Sequence, residues 1–338
     1  MKNLRFFEKV VFIINSIVAF LLLLSYVLPN IPPNTFATLS VLSLGVPLLI
    51  LLNVLFFVYW LFKIKKQLLL SLVVISIGYF LFGSLYKFSN WEEVGEESLS
   101  IMNYNVRLFN LYDWIPEKDI DLKIVQFIKE QSPQILCIQE YHPQDNIDFS
   151  FYKYNYQKLE GKKTKLGQAI FSQFPIINSG SVNFPNTANN AIFADIVKGK
   201  DTIRVYNLHL QSLRIDPRVQ SLTTENSEKL LNGIGKTFKL QQTQTELFLE
   251  HKNNSPYKVI ISGDFNNSAF SYVYNAIKDD MKDTFKQQGN GFGRTYNFKF
   301  FPLRIDFILV DKSWTVNSFK TFDVQYSDHY PIMTKVSF

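Results

Sequence analysis

Three long runs without Asp, Glu, Lys or Arg fill the first quarter of the 338-residue chain, at 10–28, 36–62 and 68–86. About 20 apolar residues, each rising ~1.5 Å, cross a hydrocarbon core of ~30 Å, so each run predicts a transmembrane helix. Pro47 is expected to kink the second. The joint at 29–35, PNIPPNT, has no charge, whereas KIKKQ at 63–67 is basic. Because positive loops stay in the cytoplasm, and Lys2, Arg5 and Lys9 precede the first run, the N-terminus is predicted cytoplasmic. The chain then passes out, in and out again. Everything after about residue 90 is expected on the extracytoplasmic face of a bacterial inner or plasma membrane. The first run is long for a signal peptide, and no A-x-A-like site follows it, which argues against cleavage. The acidic WEEVGEES at 91–98 reads as a linker, giving an anchor at 1–88, a linker at 89–98 and a soluble domain at 99–338.

From residue 99 onward the pattern changes to short apolar runs alternating with helix-like segments. LSIMNYNV, QILCIQ, QAIFS, AIFADIV, TIRVYNLHL, KVIISG, RIDFILV and the region around SFKTFDV predict strands. Helices are predicted at 118–131, 222–251 and 270–279. Runs such as KVII lack polar alternation and suggest strands covered on both faces, so the domain is α/β or α+β.

Charge alters the picture in one respect. Residues 1–88 hold seven Lys or Arg and one acid, Glu8, of chain totals of 35 and 29, so bases and acids balance in the remainder. The net charge of +6 therefore belongs to the anchor and gives no case for polyanion steering by the soluble domain. The single cysteine, Cys137 within ILCI, excludes a disulfide framework and a cysteine zinc site, and reads as a small buried hydrophobe.

The candidate chemistry lies where the apolar runs stop. SIMNYNV carries Asn105, ILCIQ stops at Glu140, VYNLHL includes His209, VIISG stops at Asp264 with Asn266 beyond, and LRIDFIL carries Asp306. Polar groups at strand ends collect on one sheet edge, where α/β architectures bind ligands. Asp306 is the hardest to read as ordinary surface: a carboxylate inside such a run costs several kcal/mol unless paired, so it requires a partner.

The order of these residues, completed by Gln139-Glu140, Asn207 to Leu210, Gly263-Asp264-Phe265-Asn266, Arg304-Ile305-Asp306 and Ser327-Asp328-His329-Tyr330-Pro331, resembles the endonuclease/exonuclease/phosphatase (DNase I-like) superfamily. The resemblance covers residues 99–338 and nothing before residue 89. It implies a four-layer sandwich, two packed mixed β-sheets with outer helices, here preceded by three transmembrane helices. It also implies phosphoester hydrolysis with Mg²⁺ or Mn²⁺. Carried over by position, Glu140 would be the main metal ligand, with Asn105 and Asp328 beside it. Asp264 would deprotonate the attacking water, Asn266 and His209 would hold phosphoryl oxygens, and His329 would face the phosphate with its tautomer set by Asp306. The chemistry needs such a set, because one imidazole supplies only about 10²- to 10⁴-fold and the rest must come from fixed charge.

Arg107, Arg214, Arg294 and Tyr296 are candidate substrate contacts. Lys158, Lys162, Lys163, Lys165 and Arg218 are further basic groups within reach, the lysines reading as a solvated loop. A neutral domain tethered to a bilayer fits nucleic acid, a phospholipid head group or a small phosphodiester equally. A catalytically silent binding or scaffold protein of the same fold is the competing expectation. No protein partner is inferable, and spans without ionisable side chains give no support for transport.

Overall fold

A computed structural model describes residues 4–83, 85–89, 98–161, 164–213, 224–298 and 301–338. The helices are α1 (Phe6–Val27), α2 (Ala37–Ser40), α3 (Val46–Phe62), α4 (Leu68–Phe82), α5 (Ile120–Gln131), α6 (Thr224–Asn253), α7 (Tyr272–Lys278) and α8 (Thr284–Gln288). The strands are β1 (Leu99–Asn105), β2 (Ile135–Tyr141), β3 (Tyr154–Glu160), β4 (Leu166–Ser172), β5 (Ile176–Asn183), β6 (Asn190–Lys198), β7 (Asp201–His209), β8 (Lys258–Asp264), β9 (Lys282–Asp283), β10 (Asp306–Val310), β11 (Thr315–Thr321) and β12 (Ile332–Ser337). The chain divides into two compact units. One comprises Met1–Leu85, Leu213–Gln242 and Ser268–Ala276, the other Tyr86–Ser212, Thr243–Asn267 and Ile277–Phe338.

In the first unit the apolar helices pack through Val18, Ala19, Leu22, Tyr26, Val46, Leu49 and Val74. Three of their side chains form a buried polar chain: Asn15 Nδ2 donates to Ser71 Oγ at 2.8 Å, and Trp60 Nε1 donates to Asn15 Oδ1 at 3.0 Å. Among the described residues, Phe6–Asn30 and Ala37–Phe62 are long and apolar enough to cross a membrane. The second carries a 3₁₀ turn at Val41–Gly45, and α3 restarts with Pro47 in its first turn, where the missing N–H costs nothing. The third run differs from expectation. α4 has only 15 residues, because Gly83 takes φ 77° and closes the helix by donating its N–H to Tyr79 O. Fifteen residues give about 22 Å of helix, less than the ~30 Å a full crossing needs.

The second unit holds two mixed six-stranded sheets, ordered β11-β12-β1-β2-β4-β3 and β5-β6-β7-β8-β10-β9. Each contains one parallel pair, β1 with β2 and β7 with β8, and is otherwise antiparallel. Alternate residues of a strand point to opposite faces. Leu99, Ile101, Ile135, Cys137 and Ile170 from one sheet meet Ile192, Ala194, Ile203, Val205, Ile260, Ile308 and Val310 from the other in a single core. On the far face of the first sheet, Met102, Tyr104, Leu136 and Ile138 pack against Ile120, Ile124, Phe127 and Ile128 of α5. The predicted strands are all present. Four of the described strands were not predicted: β3 and β5, edge strands with mostly polar, half-exposed side chains, the two-residue β9, and β12, whose apolar run Ile332-Met333 is cut by Thr334 and Lys335.

The same alternation places the polar residues. Continuing along the inward line of each strand, Leu99 and Ile101 are followed by Asn103 and Asn105, Ile135 and Cys137 by Gln139, and Ile203 and Val205 by Asn207 and His209. Likewise Ile260 is followed by Ser262 and Asp264, and Val310 and Ile308 by Asp306. The space between the sheets is thus apolar at one end and polar at the other. Gly263 permits the close approach of β7 and β8 there: a Cβ at this position would lie 2.0 Å from the Leu208 carbonyl oxygen. Gly263→Ala should therefore cost about 2–3 kcal/mol through forced separation of the two strands. Chemical denaturation of both forms checks this, and an unchanged midpoint would refute it.

Candidate active site

At the polar end of the core, the strand register sets Asp264 between two neighbours. His209 is its partner on parallel β7, and Asp306 is its partner on antiparallel β10. His329 enters from the loop before β12. Its Nδ1 meets Asp306 Oδ2 at 2.9 Å and its Nε2 lies 3.7 Å from Asp264 Oδ2, while His209 Nε2 lies 3.8 Å from that same oxygen. Asp264, Asp306 and His329 are all buried, with potential ligand atoms within 4.8 Å of one another. Asp306 thus has the partner its burial demands.

Burial works against charge on His329, but Asp306 and Asp264 outweigh it and hold the imidazole well above its usual pKa. Burial also pushes the Asp264 carboxyl far above the carboxylate range, opposed by His329 and reinforced by Asp306. His209 goes the other way. Burial and the charge of His329 bring it down to about 3, so it is a neutral imidazole at physiological pH.

The other sheet contributes the second half of the site. Asn105 Nδ2 donates to Asp264 Oδ2 at 3.1 Å and to Glu140 Oε1 at 3.3 Å. Glu140 sits in a bulge of β2, where the register with β4 slips between Ile138 and Tyr141 and its φ is 50°. Such bulges re-aim side chains. Burial raises the Glu140 carboxyl above its ordinary pKa, with His329 opposing. Asn266, also at positive φ, donates its backbone N–H to Asp264 Oδ1 at 2.8 Å and its side-chain amide to Asp264 Oδ2 at 3.1 Å and Leu210 O at 3.0 Å. Asp328 faces Arg107, whose Nε lies 3.4 Å from Asp328 Oδ2. The Tyr296 ring packs edge-on against His329 at 5.0 Å. Arg294 turns to its own loop, bonding Asn297 Oδ1 at 2.5 Å and lying 4.6 Å from the centre of the Tyr330 ring. Arg214, Arg218, Lys162 and Lys163 lie outside the described residues.

Behind these groups runs a buried amide layer, of which the motifs contained Gln139 and Asn207 but not Asn103. Gln139 Nε2 donates to Asn103 Oδ1 at 2.8 Å and to Asn207 Oδ1 at 2.5 Å, Ser262 Oγ donates to Asn103 Oδ1 at 3.0 Å, and Asn103 Nδ2 donates to Asp306 Oδ1 at 3.3 Å. Asn207 Nδ2 then bridges to the Ile138 and Ala169 carbonyls of the opposite sheet. Asn103 was findable, since it lies two residues before Asn105 and so on the same strand face. Ser327, in the SDHYP motif, and Thr295 fasten the loops around the site. Ser327 Oγ donates to Asn105 O at 2.8 Å, and Thr295 Oγ1 accepts the Ile305 and Asp306 N–H groups.

Glu140, Asn105 and Asp328 would suit a divalent cation by donor type. These supply only oxygen ligands from side chains, the donor type hard cations select, and Glu140 has no ion-pair partner among the described residues. Between Asp264 and Asp306, by contrast, the cationic His329 already supplies the compensating charge.

The sequence profile of the Endonuclease/Exonuclease/phosphatase family matches residues 102–329, and the chain belongs to that family. Residues 8–85 match a domain of unknown function (DUF8431). Similar solved structures include an endonuclease/exonuclease/phosphatase from Beutenbergia cavernae (16% identity, TM-score 0.55, covering 72% of each chain). A humanized D. rerio TDP2 shares 17% identity at TM-score 0.54, covering 72% of this chain and 100% of its own. A mannosyl-6-phosphatase from Bacteroides thetaiotaomicron shares 18% at TM-score 0.51, covering 71% of this chain and 100% of its own. At these identities the likeness is one of fold. No curated protein matches the chain.

Since the folded pKa of His329 lies above its unfolded value of about 6.5, its ion pairs stabilise the fold fully below that pH. That contribution is lost as pH rises through the folded pKa. Asp306→Asn removes the first of the carboxylates opposing burial, so the His329 pKa should fall. Imidazole ¹⁵N titration by NMR in the presence of a chelator would read this, and an unmoved pKa would refute the pairing.

Proposed function

We propose that the chain is a membrane-anchored hydrolase of phosphoester bonds that depends on Mg²⁺ or Mn²⁺. The observation carrying this reading is the buried group Asp264, Asp306 and His329, joined through Asn105 to Glu140. Glu140, Asn105 and Asp328 would hold the cation. When bound, it supplies positive charge to the phosphoryl oxygens. The chain's own residues do the rest. Asp264, made basic by burial, accepts a proton from the water whose oxygen attacks phosphorus. Asn266 and Asn105 keep that carboxylate aimed through hydrogen bonds to its Oδ2. His329, kept protonated by Asp306, donates to a phosphoryl oxygen, and neutral His209 donates to another. The released alkoxide takes its proton from solvent.

The anchor comprises α1, the Ala37–Phe62 segment and α4, with the short α4 completing its crossing by local thinning of the bilayer and snorkelling of Lys65 and Lys66. In this reading residues 1–88 are the anchor, 89–98 the linker and 99–338 the catalytic domain, with the N-terminus in the cytoplasm. Sidedness draws support from inside the first unit. Asn34 N donates to Gln242 Oε1 at 2.8 Å and Asn275 Nδ2 to Pro29 O at 3.2 Å, so the uncharged loop between the first two helices shares its side with residues 242 and 275. The basic 63–67 turn then faces the cytoplasm. The substrate would be nucleic acid, a phospholipid head group or a small phosphodiester.

Purified full-length protein in detergent should hydrolyse a model phosphodiester or monoester with Mg²⁺ and lose this with chelator. Asp264→Asn and His329→Ala should each lower kcat about 10²- to 10⁴-fold, read at a temperature where circular dichroism shows the variant still folded. Glu140→Ala should abolish Mg²⁺ binding measured by calorimetry. Metal-independent turnover would sink the reading, and a folded protein inert on every ester class would favour a silent binding protein. An alkaline phosphatase reporter fused after residue 90 should be active only as an extracytoplasmic domain, and one fused after residue 65 should be inactive. The reverse pattern would overturn the topology.

A further inference from the structure

The segment between β1 and α5 presents two large aromatic side chains to solvent, beside a cation that reaches the candidate metal ligands. Arg107, Leu108, Phe109 and Asn110 are four consecutive non-glycine residues at positive φ, between 44° and 59°, and Asp113 is a fifth at 53°. Such a run persists only where its surroundings over-determine it. Here three devices do so. The Arg107 N–H is held by Asn105 Oδ1 at 3.1 Å. Leu108 and Phe109 are buried, with Phe109 packed against Tyr141 and Phe149. The Asn110 side chain closes a ring onto Ile115, donating to its carbonyl at 2.8 Å and accepting its N–H at 2.9 Å.

What this frame presents is Tyr112, 59% exposed, and Trp114, 42% exposed, with ring centres 5.1 Å apart. The Arg107 guanidinium lies 4.4 Å from the centre of the Trp114 ring while its Nε faces Asp328. A rigid loop that leaves a Trp and a Tyr in water next to an arginine combines a stacking surface with a phosphate-binding fork.

Resting on the hydrolase reading above, we propose that Trp114 and Tyr112, with Arg107, form the subsite that takes a planar ring attached close to the scissile phosphate, so that the preferred substrates are phosphoesters carrying a nucleobase. Arg107 already occupies the cation position over Trp114, which disfavours a quaternary ammonium head group there through like-charge repulsion. A nucleobase meets no such penalty. It offers a π-face to the aromatic pair, while its phosphate meets the arginine. A nucleobase phosphoester could come from a free nucleotide or from a single strand, both presenting an unstacked base.

The test uses full-length protein in detergent with Mg²⁺ and two esters sharing one leaving group, thymidine 5′-(4-nitrophenyl phosphate) and methyl 4-nitrophenyl phosphate. The wild type should favour the thymidine ester in kcat/KM. Trp114→Ala should cut that preference about tenfold, mainly through KM, and Trp114→Phe should restore most of it. A dinucleoside monophosphate and a ten-residue single-stranded oligonucleotide, run in parallel, distinguish the two sources by their relative kcat/KM. A preference unchanged by Trp114→Ala, or turnover confined to phosphatidylcholine vesicles and insensitive to Trp114, would overturn the subsite. Calorimetric titration with thymidine 3′,5′-bisphosphate separates the two readings. Binding lost in Trp114→Ala without any turnover would sustain the subsite and sink the hydrolase reading, whereas equal binding by both forms would overturn the subsite.

Discussion

The carboxylate of Asp306, buried inside a strand between two sheets, is the constraint on which the second unit turns. A buried carboxylate must be paired, and the partner is His329, contributed by the loop before the last strand. That demand draws residues 327–330 across the open end of the sheets. The segment is then fastened by hydrogen bonds from Ser327 to Asn105 and from the Tyr330 N–H to Thr295 O. Through His329 the same pairing reaches Asp264, whose own burial shifts its affinity for protons upward. Removing either His329 or Asp306 would leave the other's charge uncompensated in a low-dielectric space.

The amide layer behind these groups explains how the sheets tolerate a polar end. Asn103, Gln139, Asn207 and Ser262 join side chain to side chain across the interface, and Asn207 spans to the carbonyls of the facing sheet. Amides offer donors and acceptors together, so a small number of them can carry most of one another's hydrogen bonds. This layer separates the apolar core from the titrating groups, letting one pair of sheets carry a dry core and a reactive end. The strained Arg107–Asn110 turn extends the same logic outward, because its backbone is held by the Asn105 side chain that also meets Asp264 and Glu140.

The linear chain already carried the apolar runs, their uncharged and basic joints, eight of the twelve described strands and the order of polar residues at strand ends. These are local properties: a run of apolar residues dictates burial, and its period dictates which face is buried. Edge strands β3 and β5 escaped because exposed strands keep no hydrophobic signature, the interior strand β12 because Thr334 and Lys335 interrupt its short apolar run, and the early end of α4 depended on one glycine conformation. Asp306 announced that it needed a partner but not which one, since His329 lies 23 residues away and a pairing distance is not written in the spacing.

The sequence by itself therefore determined the element types, the apolar first quarter, the inward-facing residues and the need for compensation at Asp306. Tertiary structure alone decided that Asp264 stands between His209 and Asp306 in register, that Glu140 is turned by a bulge, and that Trp114 is set over Arg107. The physical reason is that burial and periodicity are summed along the chain, whereas register, bulges and charge pairing depend on segments distant in sequence meeting at ångström separations. There hydrogen-bond geometry and local dielectric, neither of which has a linear signature, decide the chemistry.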